Sequence, residues 1–348
     1  MSGAYGSVSV LAILTFTVSV VVAAQFRTHG ITVERVATGY AFTEGPAPDG
    51  KGGIWFSDID NTDIYRFDIA TGVTTLQNGE SGGSNGLVFD DQGRLLAAEH
   101  STQRVTRTDG DTIEVLADSW NGLSLNSPND MVVDKQGGIY FTDPAYANNV
   151  QPEAVYYIAP NGELSQVITG LSRPNGIALS PDDGVLYVAE PKSLPWPNKS
   201  NMKICQFDLA SPGSPSNKRV FANSFADGLT VDAYGNVFAA TYAGFTAWTP
   251  SGQKIFSRSF PNATTNVAFA NPAGTYPNTL YVTAGGSLYR TELLPVPEPA
   301  CWPLLMWILV LAKLRGCPQP SRHMSAMRDE LSSASVGEEL ALHCIDLV

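Results

Sequence analysis

Six segments of this chain share one layout, and that repetition limits the possible folds more than any other feature. Each unit has a loop with Gly or Asn, an alternating apolar strand, an Asp- and Gly-bearing turn, and a second apolar strand. The first runs from Glu44-Gly45-Pro46 through Asp49-Gly50 to Ile54-Trp55-Phe56-Ser57-Asp58. The others begin at Asn85-Gly86, Asn129-Asp130, Asn175-Gly176, Asp227-Gly228 and Asn266-Val267. Taking Gly45, Gly86, Asp130, Gly176, Gly228 and Val267 as equivalent points, the steps are 41, 44, 46, 52 and 39 residues. A period of this length, with two or more strands per unit, is the signature of a propeller blade. Segments such as Ile64–Asp68 followed by Thr74–Leu76 supply third and fourth strands. No helical periodicity competes before residue 300. The expected fold is all-β, a six-bladed β-propeller over residues 25–294.

Composition agrees and removes several functions. The 348 residues include 32 Gly and 23 Pro, with only 16% charged, which suits a turn-rich β protein. Lys+Arg 21 against Asp+Glu 33 leaves a net charge of −12 with no basic patch, so a nucleic-acid partner is not expected. Of four His, only His29 and His100 precede the C-terminal tail, too few for a His-rich zinc site. Three of the four Cys (Cys301, Cys317, Cys344) lie in the last fifty residues, so the body has Cys205 alone and no internal disulfide.

The ends read as processing signals. Residues 8–24 (VSVLAILTFTVSVVVAA) form an apolar and small-residue run suited to an export signal, assigned to residues 1–24. Near the other end, Val296-Pro297-Glu298-Pro299, thirteen apolar residues and Lys313 with Arg315 resemble the PEP-CTERM sorting tail of bacterial exported proteins, over 295–315. Residues 316–348 carry no assigned role. The expected location is the periplasm, cell envelope or medium, with envelope sorting machinery as a possible partner of the tail.

Propeller geometry brings equivalent repeat positions together around the central channel. The position before each inner strand reads Glu44, Asn85, Asn129, Asn175, Asp227 and Asn266, an oxygen donor every time. Carboxylates and amide carbonyls around one axis suit a hard divalent cation such as Ca²⁺. The plainer alternative is an Asx-turn at each strand entry.

These segments resemble the regucalcin/gluconolactonase family of six-bladed propellers. The resemblance rests on Gly93–Leu96 to Glu99-His100, Leu125–Asp130, Gly138–Pro144, Arg173–Ala178, Asp227–Leu229 and Ser287–Arg290. It implies that Glu44, Asn175 and Asp227 bind one divalent cation, with Ca²⁺ first and Zn²⁺, Mg²⁺ or Mn²⁺ as the others. It places Asn129 beside metal and substrate and implies hydrolysis of a sugar-acid lactone, with Asp227 taking the proton of the attacking water. Ser127 stands where the animal branch carries Arg, and the bacterial branch commonly reads Ser-Pro-Asn-Asp. His100 is a candidate substrate contact with a supporting proton-relay role, or else a loop cap. Trp196, in the Pro-rich insertion at 191–198, is a second candidate substrate contact. The other expectations are a phosphotriester hydrolase on the same calcium scaffold, and a non-catalytic binding propeller with a structural cation.

Overall fold

A strand flanked on both faces by other sheets must be apolar on both faces, and the second strand of each unit reads that way. In Ile139–Asp143 every residue is buried. Its pleat sends Ile139 and Phe141 to one side, against Leu96, Ala98 and Val105. Tyr140 goes to the other side, against Leu186, Val188 and Cys205. One unit along, Leu186 and Val188 share that second cluster, while Tyr187 and Ala189 turn to Val237 and Ala239. The core is therefore six apolar seams between sheets rather than one central mass.

The computed structural model describes residues 31–146, 151–191, 202–270 and 278–293. These residues contain no helix and form six four-stranded antiparallel sheets plus a short hairpin, Ser119–Trp120 with Leu123–Ser124. The innermost strands are Thr43–Pro48, Ser84–Phe89, Met131–Val133, Ile177–Leu179, Leu229–Val231 and Thr264–Phe269. Each packs against the next in chain order and the sixth packs against the first, closing the ring. This is the six-bladed β-propeller expected from the repeat.

Closure uses a strand the repeat does not contain. Val33–Thr38 pairs antiparallel with Ser287–Glu292, so the sixth blade takes three strands from the end of the described chain and its outermost strand from the beginning. Thr38 and Ser287 also share a hydroxyl–hydroxyl bond of 2.9 Å.

Several inner strands are shorter than their apolar pattern, for one reason. At the repeat position two residues oppose one on the neighbouring strand, a β-bulge. The Asn129 N–H donates to the Thr142 carbonyl while the Thr142 N–H donates to that of Asp130. Asn175-Gly176 straddles Ala189, and Asp227-Gly228 straddles Ala240, in the same way. In the other three blades the register slips within Glu44–Ala47, Ser84–Leu87 and Thr264–Asn266. The freed backbone groups bond between blades instead: Gly86 N–H to Asn129 O (2.7 Å), Gly176 N–H to Asp227 O (2.7 Å) and Gly228 N–H to Thr265 O (2.8 Å).

That approach leaves no room for a side chain at Gly228, where a Cβ would run into the amide of Asn266. Gly228→Ala is expected to destabilise the protein by about 1–3 kcal/mol through overpacking. Urea unfolding reads this directly; an unchanged midpoint would mean that the ring opens to accept the methyl.

The repeated Asp of the strand-to-strand turn acts at the opposite end of the blades. Asp49, Asp90, Asp134 and Asp232 each accept two backbone N–H groups across their turns, at 2.7–3.0 Å. Each of these four carboxylates thus closes the turn of its own blade.

Candidate metal and active centre

Strand direction alternates along each blade, so the loops entering the inner strands share one end of the channel with the loops joining second and third strands. Buried acids at the ends of second strands hold the entry loops. The Asp143 carboxylate accepts the N–H groups of Asn126 (2.9 Å) and Ser127 (2.7 Å), just before Asn129. Asp58 accepts those of Ala41 and Phe42 just before Glu44, the latter at 2.8 Å. The bulge follows at once, and Glu44 and Asn129 are buried there.

Glu44, Asn85, Asn129, Asn175 and Asn266 are buried at this mouth, and Asp227 is partly buried. The six positions are not equivalent. Asn266 spends its carbonyl oxygen on the N–H of Val267 (2.8 Å) and aims its amide nitrogen at Asp130 (3.3 Å). It therefore positions a carboxylate rather than offering oxygen to the centre. The Asn175 amide nitrogen donates to the phenol oxygen of Tyr146 (2.8 Å). Glu44 accepts the N–H of Gly45 (3.0 Å). Asn129 Oδ1 is buried without any hydrogen-bond partner.

Asp130 brings a third carboxylate, and the sequence reading did not select it. It occupies the repeat point where four of the other blades have glycine, a departure that was itself a signal. Its Oδ1 accepts the N–H of Met131 (2.9 Å). Burial pushes Asp130 up to about 7, against hydrogen bonds that pull down. Burial and the charge of Asp130 push Asp227 up to about 7, with hydrogen bonding by Asn175 opposing. Burial first, then the charges of Asp227 and Asp130, raise Glu44 well above the usual carboxylate range.

These observations test whether a cation fits. Three mutually repelling carboxylates and an unpartnered carbonyl oxygen form a site short of positive charge, and all are hard oxygen donors. Among the described residues no three Asp, Glu, His or Cys side chains converge closely enough to hold an ion by themselves. A donor set here must combine carboxylates with amide oxygens, and Glu44, Asp227, Asn175 and Asn129 supply that mixture.

Two further residues, His100 and Trp196, were expected as substrate contacts. His100 packs its ring on Tyr146 at 5.5 Å between centroids, and its Nδ1 is buried without a partner. Burial lowers its pKa. Trp196, most of its Pro-rich insertion and both terminal segments lie outside the described residues. Tyr146 sits in a loop outside the repeat pattern, where sequence periodicity carries no signal.

Comparison with known proteins decides the family. The profile of the SMP-30/Gluconolactonase/LRE-like region matches residues 42–286. The chain belongs to this family. A gluconolactonase of Zymomonas mobilis is 31% identical over 193 residues, 49% of this chain and 52% of that protein. The diisopropyl-fluorophosphatase of Loligo vulgaris is 27% identical over 203 residues, covering 52% and 63%. A solved gluconolactonase structure from Xanthomonas campestris superposes with a TM-score of 0.70 at 25% identity, over 79% of this chain and 92% of that one. The chain spans about half the length of the curated gluconolactonase it matches. Within the SMP-30/gluconolactonase/LRE-like scaffold, the carboxylate-lined mouth is the concentration of chemistry described above.

Proposed function

We propose that this protein is a divalent-cation-dependent lactonase acting on a sugar-acid lactone or a related cyclic ester. The observation that carries the reading is the convergence of Glu44, Asp227 and the unpartnered Asn129 oxygen at one mouth of a propeller of this family. Glu44, Asp227 and Asn175 would hold the cation, with Asn129 beside it; Ca²⁺ is expected first on the hardness of the donors. A bound cation would polarise the lactone carbonyl as a Lewis acid. Asp227 takes the proton of the attacking water, and Asp130, held by Asn266, keeps further negative charge beside it. We also infer export, supported by the apolar run at 8–24 and the PEP-CTERM-like segment at 295–315.

The test is pH-stat hydrolysis of gluconolactone and a small aldonolactone panel, after chelation and again after returning Ca²⁺, Mg²⁺, Mn²⁺ or Zn²⁺. Turnover lost with chelator and restored by one cation is the expected result. The similarity to diisopropyl-fluorophosphatase favours a second reading, phosphotriester hydrolysis at the same site. Diisopropyl fluorophosphate belongs in the same assay. Folded protein inactive on both substrate classes with every cation would favour a binding propeller.

The raised carboxylates also set a pH dependence. Asp227 and Asp130 lie at about 7 in the folded protein, above the ~3.9 of an unfolded Asp. Between these values the folded state holds more protons than the unfolded one, so their contribution to stability is lost as pH rises from about 4 to 7. Chelated protein is therefore expected to melt higher at pH 5 than at pH 7.5. Cation affinity should run the opposite way, weakening below about pH 7 because binding needs the ionised carboxylates. Calorimetry at the two pH values measures both, and parallel trends would refute the assignment.

A further inference from the structure

Tyr146 belongs neither to the repeat nor to the donor set, yet its contacts fix its ring and hydroxyl tightly. Asn175 Nδ2 donates to the phenol oxygen at 2.8 Å, which directs the phenol's own proton away from Asn175. One side of the ring stacks on His100 with 29° between planes. The Arg173 guanidinium carbon also contacts the ring, 5.3 Å from its centroid. Glu153 ties the two supporting loops together, Oε1 accepting the N–H of Ala145 and Oε2 that of Arg173, both at 3.0 Å. Arg173 is held at φ +51°, a left-handed conformation that costs a non-glycine residue energy and persists only where its surroundings impose it. Asn175 also hydrogen-bonds Asp227, so one amide links the phenol to a carboxylate of the site.

We propose that Tyr146 contacts the substrate in lactone hydrolysis, donating its phenol O–H to the ring oxygen that leaves as an alkoxide, with the Glu153–Arg173 clamp as its support. The inference rests on the lactonase reading and assigns a residue within it. Water oxygen bonds to the carbonyl carbon and its proton passes to Asp227. The ring C–O bond breaks with its electron pair left on the departing oxygen. The proton on Asp227 then neutralises that oxygen, giving the open hydroxy acid, while the phenol keeps its proton throughout. Its role is to stabilise charge as it develops on the leaving oxygen, where a donor counts most.

Tyr146→Phe tests this because it keeps the ring on His100 and Arg173 and removes only the hydroxyl. The measurements are kcat and KM for the best lactone, with calorimetric affinity for the cation that supports wild-type turnover. The expected result is a fall in kcat of roughly 100-fold, the scale of removing one oxyanion donor. KM, cation affinity and melting temperature should change little. An unchanged kcat in the variant of an active enzyme would overturn the inference and leave the lactonase reading intact. A kcat loss matched by an equal loss of cation affinity would overturn it too, because Tyr146 would then act by holding Asn175. Wild-type protein that hydrolyses no lactone would remove both readings together.

Discussion

Replacing Asp227 by Asn is expected to cut the proposed lactone turnover sharply while making the cation-free protein harder to melt. The substitution is nearly isosteric and removes one of three carboxylates that repel one another in a buried mouth. Without the cation, that negative charge is a cost to folding, so its loss raises the melting temperature of chelated protein at pH 7.5. The same change removes an expected ligand and the proposed base. A positioned general base contributes roughly 100- to 10,000-fold, and loss of a ligand adds to that. Turnover should therefore fall by at least about 1,000-fold, with cation affinity lost in the same calorimetric titration. Glu44→Gln is the companion: it keeps Asp227 as base but removes a ligand and a buried charge, so it too should lose cation-dependent turnover. Asp227→Asn retaining a tenth of wild-type activity would remove Asp227 from the mechanism. A lower melting point in chelated Asp227→Asn would show that the carboxylate is satisfied without a cation.

The largest effect on folding is expected from removing residues 33–38. This strand contributes the whole outer edge of the sixth blade and covers Leu288 and Tyr289, both buried. Val33 packs into the seam between the fifth and sixth blades, while Val36 and Ala37 pack into the seam between the sixth and first. Without it, Ser287–Glu292 becomes an unpaired edge, the sort of edge that invites association with other chains. The two seams it bridges also lose apolar partners, and backbone bonding between beginning and end shrinks to the N–H groups of Gly39, Tyr40 and Thr43 on the carbonyls of Gly285 and Gly286. The loss is expected to be about 5 kcal/mol or more, comparable with the total stability of an ordinary domain. A protein starting at Gly39 should unfold without a cooperative transition in guanidinium, or aggregate. An unchanged midpoint would show that the ring closes without its outer strand.

Much of this architecture was legible because a blade is local. Strand, Asp-Gly turn and strand lie within twenty residues of one another, and pleating repeats every two residues, so Gly138–Asp143 or Gly184–Glu190 declares its strand without distant help. The repeat also carried the channel position, since closing six similar units into a ring superposes Glu44, Asn85, Asn129, Asn175, Asp227 and Asn266 whatever their side chains do.

What those side chains do was decided only by neighbours in the folded ring. Asn266 and Asn129 read alike in sequence, yet one gives its oxygen to the Val267 N–H and its nitrogen to Asp130, while the other's oxygen stays unpartnered. That division depends on which groups the adjoining blades present and on how completely they exclude water. Tyr146 reaches Asn175 from a loop with no periodicity, and Val33–Thr38 finds Ser287–Glu292 from the far end of the described chain. By itself, then, the sequence determined the blade, the number of blades and the ring of candidate donors, because those follow from short-range hydrogen bonding and apolar alternation. The tertiary structure decided the closing strand, the third carboxylate at Asp130 and the orientation of each donor. Those depend on packing and electrostatic partners remote in the chain, which no local pattern specifies.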